Sequence, residues 1–476
     1  MNTQIRYFAV LCTFVFMVAC KGNQTTENKQ TKQVAPNIIM IHVDDLGYHD
    51  LSIHGSQIYQ TPHIDQLASE SFEFVNAYAN YPRCVPSRFA MMTGKYPIQD
   101  GDVPDDGFEM KGIPTSQNFI EQFNTSGYQT AYFGKWHLGH HEQGPRGFGY
   151  QHSFAAGAAG SPISFLYPFN TPKGYNRKVK KSPIVDIEER SNEGDYLTDN
   201  LTTEFISYLK RKDQKKPLMA VLSYYAVHQP LEAKKKDIER NKKEISAFDF
   251  SGIAEYIYEG TGRTKMRQNN ATYAAMVENL DVNVGRIMKT LTDLGKDENT
   301  IVVFSSDHGG LSNDGLKKRG LATSNSPLRA GKGWLYEGGI KVPLFVRWKN
   351  KIQAQKEEES VVMLMDVFPT LLDYGTGKKI VGIDGASLKP TIEHKESNKD
   401  RIVYWHSSKA RPQNTGDSKS SAIREGNLKL IHFYESNTIE LYDLSVDISE
   451  EHNLATKQPE IANRLLKKLN KWKENF

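Results

Sequence analysis

The run Asn37-Ile38-Ile39-Met40-Ile41-His42-Val43 is apolar at almost every position and stops at Asp44-Asp45. A strand without polar alternation must be covered on both faces, as happens in a parallel sheet layered between helices. Thr300-Ile301-Val302-Val303-Phe304-Ser305 repeats the design and runs into Asp307-His308-Gly309-Gly310. Two buried strands therefore carry acids at their carboxyl ends, the edge where ligands bind in open α/β sheets. Further strands are predicted over residues 129–133, 218–224 and 342–346. A helix is predicted over residues 273–294, where Met276, Leu280, Val284, Ile287, Leu291 and Leu294 recur at three- and four-residue steps. Alternating strands and helices predict an α/β fold with the sheet sandwiched by helices.

Beyond about Lys379 the pattern changes. Arg401-Ile402-Val403-Tyr404-Trp405, residues 421–433 and Ile439-Glu440-Leu441-Tyr442 read as short antiparallel strands with a turn at Glu425-Gly426-Asn427. Pro459 then opens a helix with Ile461, Leu465, Leu469 and Trp472 on one face. The chain divides accordingly into a catalytic domain over residues 36–378 and a smaller C-terminal α+β subdomain over residues 379–476.

The N-terminal stretch reads as an export signal over residues 1–19. Arg6 precedes an apolar run from Tyr7 to Ala19, too short to span a bilayer. Met17-Val18-Ala19-Cys20 resembles a bacterial lipobox, with Cys20 as the lipidated residue and residues 20–35 as a polar tether. No second long apolar stretch follows, so the membrane is expected to be touched only through that anchor.

Removing the signal also removes Cys12, and Cys20 belongs to the anchor, which leaves Cys84 as the one thiol of the folded part. A cysteine in an exported chain is normally half of a disulfide, so an unpaired one points to chemistry. Asp44, Asp45 and Asp307 at neighbouring strand ends would repel one another unless a cation lay among them. An oxygen-rich set suits calcium or magnesium, and no cluster of cysteines or histidines suggests structural zinc. Asp-Asp after a strand suits N-capping equally well. Around these acids the sequence supplies cations: Arg88, Lys135 and His137 in Gly134-Lys135-Trp136-His137-Leu138-Gly139, His228, and Lys332 in Gly331-Lys332-Gly333.

Net charge is only +4 and says little about partners. Its distribution says more, because lysines and arginines gather in residues 173–181, 234–243 and 263–267. Each cluster reads as solvated surface, and the three together suit a polyanionic substrate.

Cys84-Val85-Pro86-Ser87-Arg88-Phe89-Ala90-Met91-Met92-Thr93-Gly94 closely resembles the signature of the formylglycine-dependent sulfatases, within the alkaline phosphatase superfamily. Asp44-Asp45, Gly134-Lys135-x-His137, His228, Asp307-His308, Lys332, Tyr336-Glu337-Gly338-Gly339 and the Arg424-Glu425-Gly426-Asn427-Leu428-Lys429-Leu430 hairpin fall in that family's order. The resemblance implies an alkaline phosphatase-like central mixed sheet sandwiched by helices, with the C-terminal antiparallel sheet and helix beside it. It implies that a maturation enzyme oxidises Cys84 to formylglycine, whose hydrate attacks sulfur. It further implies one calcium ion held by Asp44, Asp45, Asp307 and His308, with residue 84 beside them as a ligand.

Under that resemblance, Arg88 would hold the hydrate and the metal-side carboxylates. Lys135 and His137 would orient the hydrate and take its proton. His228 and Lys332 would contact the sulfate and the bridging oxygen. The expected substrate is a sulfated carbohydrate outside the cytoplasm, either an algal polysaccharide such as ulvan or carrageenan or glycosaminoglycan oligosaccharides, and no nucleic acid is expected. Two other readings stand beside it: a phosphatase or phosphonate-ester hydrolase of the same superfamily, and a glycan-binding lipoprotein without turnover.

Overall fold

Every residue of β1 (Asn37–Val43) is buried, and the rest of the molecule is arranged around it. The structure, a computed structural model, describes residues 35–99, 101–104, 107–110, 112–139, 141–172 and 181–476. The export signal, Cys12, Cys20 and most of the tether lie outside the described residues, as do residues 173–180 of the first basic cluster. Among the described residues no helix is long and apolar enough to cross a membrane.

The main sheet comprises β1, β2 (Phe72–Tyr78), β3 (Gln129–Gly134), β4 (His152–Phe154) and β5 (Leu218–Ser223). A separate hairpin, β6 (Tyr256–Glu259) and β7 (Gly262–Lys265), comes next, and β8 (Thr300–Ser306), β9 (Leu344–Trp348) and β10 (Gln355–Met363) complete the sheet. Its order is β10-β2-β9-β8-β1-β5-β3-β4. Only β9 runs antiparallel to its neighbours, so the sheet is mixed and dominated by parallel pairs. The strand predicted from residue 342 begins two residues later because Pro343 has no N–H to give to a ladder. β2, β4, β6, β7 and β10 were not foreseen. The first half of β10, Gln-Lys-Glu-Glu-Glu, is mostly exposed and charged, as an unprotected edge requires, and gives no apolar signal.

Helices cover both faces. Ile39, Ile41 and Val43 pack with side chains of the helices Leu197–Arg211 and Ala271–Asp293. Ile38 and Met40 point the other way, onto the helices Cys84–Thr93, Phe119–Thr125 and Val367–Thr376. The helix predicted from residue 273 starts slightly earlier, where the Asn270 side chain accepts from the N–H groups of Thr272 and Tyr273.

Beside this sandwich, β11 (Ile402–Ser407), β12 (Ser420–Glu425), β13 (Leu428–Phe433) and β14 (Thr438–Asp443) form an antiparallel sheet in chain order. The predicted turn at Glu425-Gly426-Asn427 joins β12 to β13. On one face Leu465 and Leu469 of the helix Pro459–Lys473 meet Ile423, Leu430 and Leu441. The other face packs Val403, Trp405, Ala422 and Ile431 against Tyr78, Ile340 and Met363. Lys429 of β13 sits fully buried between two carboxylates, 2.9 Å from Glu337 and 2.9 Å from Glu450.

Removing that ammonium while keeping its volume leaves two carboxylates buried without their counter-charge. Lys429→Met is therefore expected to cost about 3–5 kcal/mol in a urea titration, the usual scale for breaking a buried ion pair. A loss below about 1 kcal/mol would show that the pair is not what fixes this sheet.

Candidate active site

Cys84 is the first residue of its helix, with Arg83 as N-cap in extended conformation. Pro86 costs nothing there, because the first N–H groups of a helix have no carbonyl partner within it. The helix ends at Gly94, whose left-handed φ of 68° closes the last turn through an N–H donated to Ala90. The carbonyl of Gly94 then accepts from the N–H groups of Asp384 and Gly385, anchoring the far end of the helix. One helical turn places Ser87 and Arg88 on the same side as Cys84. The Ser87 hydroxyl donates to the Asp307 carbonyl at 2.6 Å, and Arg88 Nε donates to the Asp307 carboxylate at 3.1 Å.

The acids arrive from the sheet. Asp44 and Asp45 follow β1 and Asp307 follows β8, all three buried. Neither of the first pair acts as an N-cap, since the short 3-10 turn that follows is capped at Gly47. Asp45, with a left-handed φ of 61°, turns the chain so that its N–H donates to Asp307 Oδ1 at 3.1 Å. Cys84 Sγ lies 3.4 Å from Asp44 Oδ1 and 3.2 Å from His308 Nε2. It is a free thiol, with no disulfide partner among the described residues.

Each acid has its cation. Lys135 Nζ is 2.5 Å from Asp44 Oδ2, and Lys332 Nζ donates to both oxygens of Asp45 at 2.6 and 2.9 Å. Arg88 Nη2 is 3.0 Å from Asp307, while Nη1 donates to the Lys135 carbonyl and to the Ser223 hydroxyl. His228 Nε2 lies 3.7 Å from Asp45 Oδ2. His137, also with a left-handed φ, lies against Cys84, and its Nδ1 has no hydrogen-bond partner. All ten residues singled out in the sequence thus converge on one site.

Charge is distributed unevenly within it. Burial, the Cys84 sulfur and the other carboxylates push Asp44 well above the usual carboxylate range despite Lys135. For Asp307, burial acts upward but His308, Arg88 and Lys135 outweigh it and hold the acid well below that range. Asp45 is lowered in the same way, with His228 and Lys332 overcoming burial. Burial would raise the Cys84 thiol, yet Lys135, Lys332 and His308 bring it well below the ordinary cysteine value.

The carboxylates are the part of the donor set that fits a hard divalent cation, whereas the Cys84 sulfur and the His308 nitrogen are softer donors, and an oxygen in place of that sulfur would complete the fit. One ligand atom each from Asp44, Cys84, Asp307 and His308 lie within 4.8 Å of one another. His308 Nδ1 is 3.0 Å from the Gly309 carbonyl, which can only accept, so Nδ1 carries a hydrogen. Its Nε2 then faces Asp45 Oδ1 at 3.3 Å and Asp307 Oδ1 at 3.5 Å. A lone pair aimed at two carboxylates is repulsive, and either a second proton or a metal ion among these atoms removes the conflict.

A family model described as "Sulfatase" matches residues 36–377, and one described as "N-sulphoglucosamine sulphohydrolase, C-terminal" matches residues 330–475. The chain belongs to the sulfatase family. A sulfatase of Formosa agariphila is 28% identical, with 99% of this chain and 94% of that one covered. An N-acetylgalactosamine-6-O-sulfatase of Bacteroides thetaiotaomicron is 26% identical, with 98% of both chains covered. Among solved structures, Ps i-CgsB in complex with k-i-k-neocarrahexaose has a TM-score of 0.71 at 26% identity, covering 92% of this chain and 93% of that one. The chain is accordingly a sulfuric ester hydrolase with an alkaline phosphatase-like fold.

Two residues that serve the sulfatase site escaped sequence reasoning. Ser87 could have been found, since it lies three positions after Cys84 on a helix. Ser223 had no such signal, because it meets Arg88 only through the pairing of β5 with β1. The remaining basic clusters are largely paired away from the centre: Lys234 with Asp199, Arg240 with Glu278, and Arg263 with Asp314. On the side of the site formed by His137, Gly160 leaves room for the imidazole. A Cβ there would come within 2.1 Å of His137 Nε2. The obstacle is the tip of a side chain and not backbone, so Gly160→Ala is expected to displace His137 while the fold survives. Turnover should fall roughly 10- to 100-fold, with the melting temperature lowered by less than about 3 °C. Unchanged turnover would remove His137 from the working site.

Proposed function

We propose that this sulfatase hydrolyses sulfate esters of a sulfated carbohydrate, with Cys84 oxidised to formylglycine by a maturation enzyme and one calcium ion held by Asp44, Asp45, Asp307 and His308. The observation that carries the reading is the setting of Cys84: a free sulfur at a buried helix N-terminus, facing two acids, an imidazole and the Lys332 ammonium at 3.6 Å. Carbohydrate as the substrate is supported by a relative that is an N-acetylgalactosamine-6-O-sulfatase and a similar structure in complex with k-i-k-neocarrahexaose. Both carrageenan-type algal polysaccharides and glycosaminoglycan oligosaccharides fit that support.

When present, the formylglycine hydrate supplies one hydroxyl to attack sulfur and a second whose deprotonation expels sulfate, and calcium supplies positive charge to the sulfate oxygens. The chain's own groups do the rest. Arg88 Nε donates to Asp307 and Nη1 to the Lys135 carbonyl and Ser223, so it fixes the carboxylates, while Nη2, 3.0 Å from Asp307, makes no hydrogen bond and is free to hold the hydrate. Lys135, on Asp44, and His137, with a ring nitrogen still unpartnered, flank residue 84 and orient and deprotonate its hydroxyls. His228 Nδ1 lies 2.7 Å from the Gln229 carbonyl and so carries the hydrogen, which leaves Nε2 toward Asp45 and the ester. Lys332, an ammonium beside Asp45, holds the sulfate and delivers a proton to the departing alkoxide, and His228 joins it only when Nε2 has gained a proton, which burial opposes and Asp45 favours. Export and a lipid anchor at Cys20 belong to the same reading, supported by the sequence of residues 1–20.

Three measurements test this. Mass spectrometry of the Cys84 peptide, after coexpression with a maturation enzyme, should give an aldehyde that reacts with hydrazides; a thiol accompanied by full activity would refute the chemistry. Elemental analysis of that sample should give one calcium per chain, and chelation should abolish turnover until calcium is returned. Retained turnover after exhaustive chelation would remove the metal from the reaction. In cells, Cys20→Ser should shift the protein from the membrane to the soluble fraction, and an unchanged distribution would exclude the anchor.

A further inference from the structure

Cations on the connection that follows His308, and those that pair with it, are mostly neutralised. Arg263 and Lys318 share Asp314, Arg329 lies on Glu259, and Lys332 lies on Asp45. Arg319 differs. It is half-buried, and its hydrogen bond goes to a neutral group: Nη2 donates to Gln229 Oε1 at 2.6 Å. The amide of Gln229 answers by donating Nε2 to the Gly320 carbonyl, also at 2.6 Å. This reciprocal clasp fixes the guanidinium against the residue that follows His228, whose ring faces Asp45. No carboxylate lies within ion-pair distance of Arg319 among the described residues.

A guanidinium stays charged whatever its surroundings, and partial burial without a counter-ion is unfavourable. Burial pulls its pKa below the ordinary arginine value; Asp45 and Asp314 act in the opposite sense without reversing it, and Arg411 adds to the lowering. Most of its five N–H donors remain available, in a rigid fork that matches a carboxylate or a sulfate group. The clasp with Gln229 also lowers the entropy lost when such a group docks.

We propose that Arg319 is a specificity-determining residue that binds a second anionic group of the substrate, a carboxylate or a sulfate, beside the ester held at Cys84. The preferred substrate class is then a sugar or disaccharide carrying at least two anionic groups, which rests on the sulfatase reading above and narrows it.

The test uses matured full-length enzyme and its Arg319→Gln and Arg319→Lys variants. An aryl sulfate, which has one anionic group, reports the chemistry. Three sugars compete with it as inhibitors: a monosulfated N-acetylhexosamine, its disulfated form, and the monosulfated sugar linked to a uronate. With wild type, at least one of the two dianionic sugars is expected to inhibit about 10- to 100-fold more tightly than the monosulfated one, the range set by a charge-assisted bidentate contact. The disulfated and uronate arms show which anion is taken. Arg319→Gln should abolish the preference, Arg319→Lys should keep part of it, and aryl sulfate KM and kcat should stay within about twofold. An equal preference in wild type and Arg319→Gln, no preference in wild type, or an equal fall on the aryl ester would overturn the proposal. If wild type fails on the aryl ester itself, the sulfatase chemistry is what has failed. Calorimetric titration with the same three sugars then decides the subsite, by whether Arg319→Gln loses the preference for two anions.

Discussion

The register of three parallel strands is the constraint from which the site follows. β1 pairs with β8 so that Val43 stands opposite Ser306, and with β5 so that His42 stands opposite Ser223. Backbone bonds continue this alignment past the strand ends. The Asp307 N–H donates to the Val43 carbonyl, the Asp44 N–H to the Ala226 carbonyl, and the Val227 N–H to the Asp44 carbonyl. Asp44, Asp307 and the segment leading to His228 are thereby set at one level. A slip of one residue in any pair would exchange the two faces of a strand buried on both, so the apolar packing that fixes the register also fixes the carboxylates.

Three carboxylates and a low-pKa sulfur gathered out of water would be prohibitive alone. The arrangement is tolerable because every acid has its own cation from a different part of the chain: Lys135 after β3, Arg88 on the helix of Cys84, and Lys332 on the long connection between β8 and β9. The helix N-terminus adds its partial positive charge where Cys84 sits. Since no two of these cations share an element, the site exists only once the whole sandwich has assembled. A half-formed cluster would leave unpaired charge in the interior, which ties the integrity of the site to the cooperativity of the fold.

What could be read in the sequence is what local chemistry determines. Continuous apolar runs ending in acids specify β1 and β8 almost to the residue, and helical spacing specifies the helix Ala271–Asp293 to within two residues at each end. A cysteine without a partner, next to proline and arginine, singled out position 84, and the structure sets it among the acids, His308 and Lys332. The unread parts depend on pairing across the chain. Half of β10 lies at a charged edge with no apolar pattern, β2 beside it is placed only by its pairing with β9 and β10, and Ser223 matters only because Arg88 reaches it. The clasp between Gln229 and Arg319 joins two loops about ninety positions apart, with nothing in either to announce the other.

The connection through Lys332 ties the clustered acids to the rest of the molecule. The Lys332 N–H donates to the Gly310 carbonyl just beyond His308, and the Gly333 N–H donates to the Pro82 carbonyl just before Cys84. Trp334 then donates its indole N–H to the Thr415 carbonyl, and Glu337 is held by Lys429 of the small sheet. A strap of a few residues therefore joins the clustered acids, the helix of Cys84 and the C-terminal sheet. The small sheet thus acts, through Lys429 and Glu337, as the anchor of the lysine that faces Cys84. Because the strap is fixed at both ends, and residues 311–315 and 321–325 are themselves buried, the mostly exposed turn of residues 316–320 carries Arg319 on a frame held in the interior.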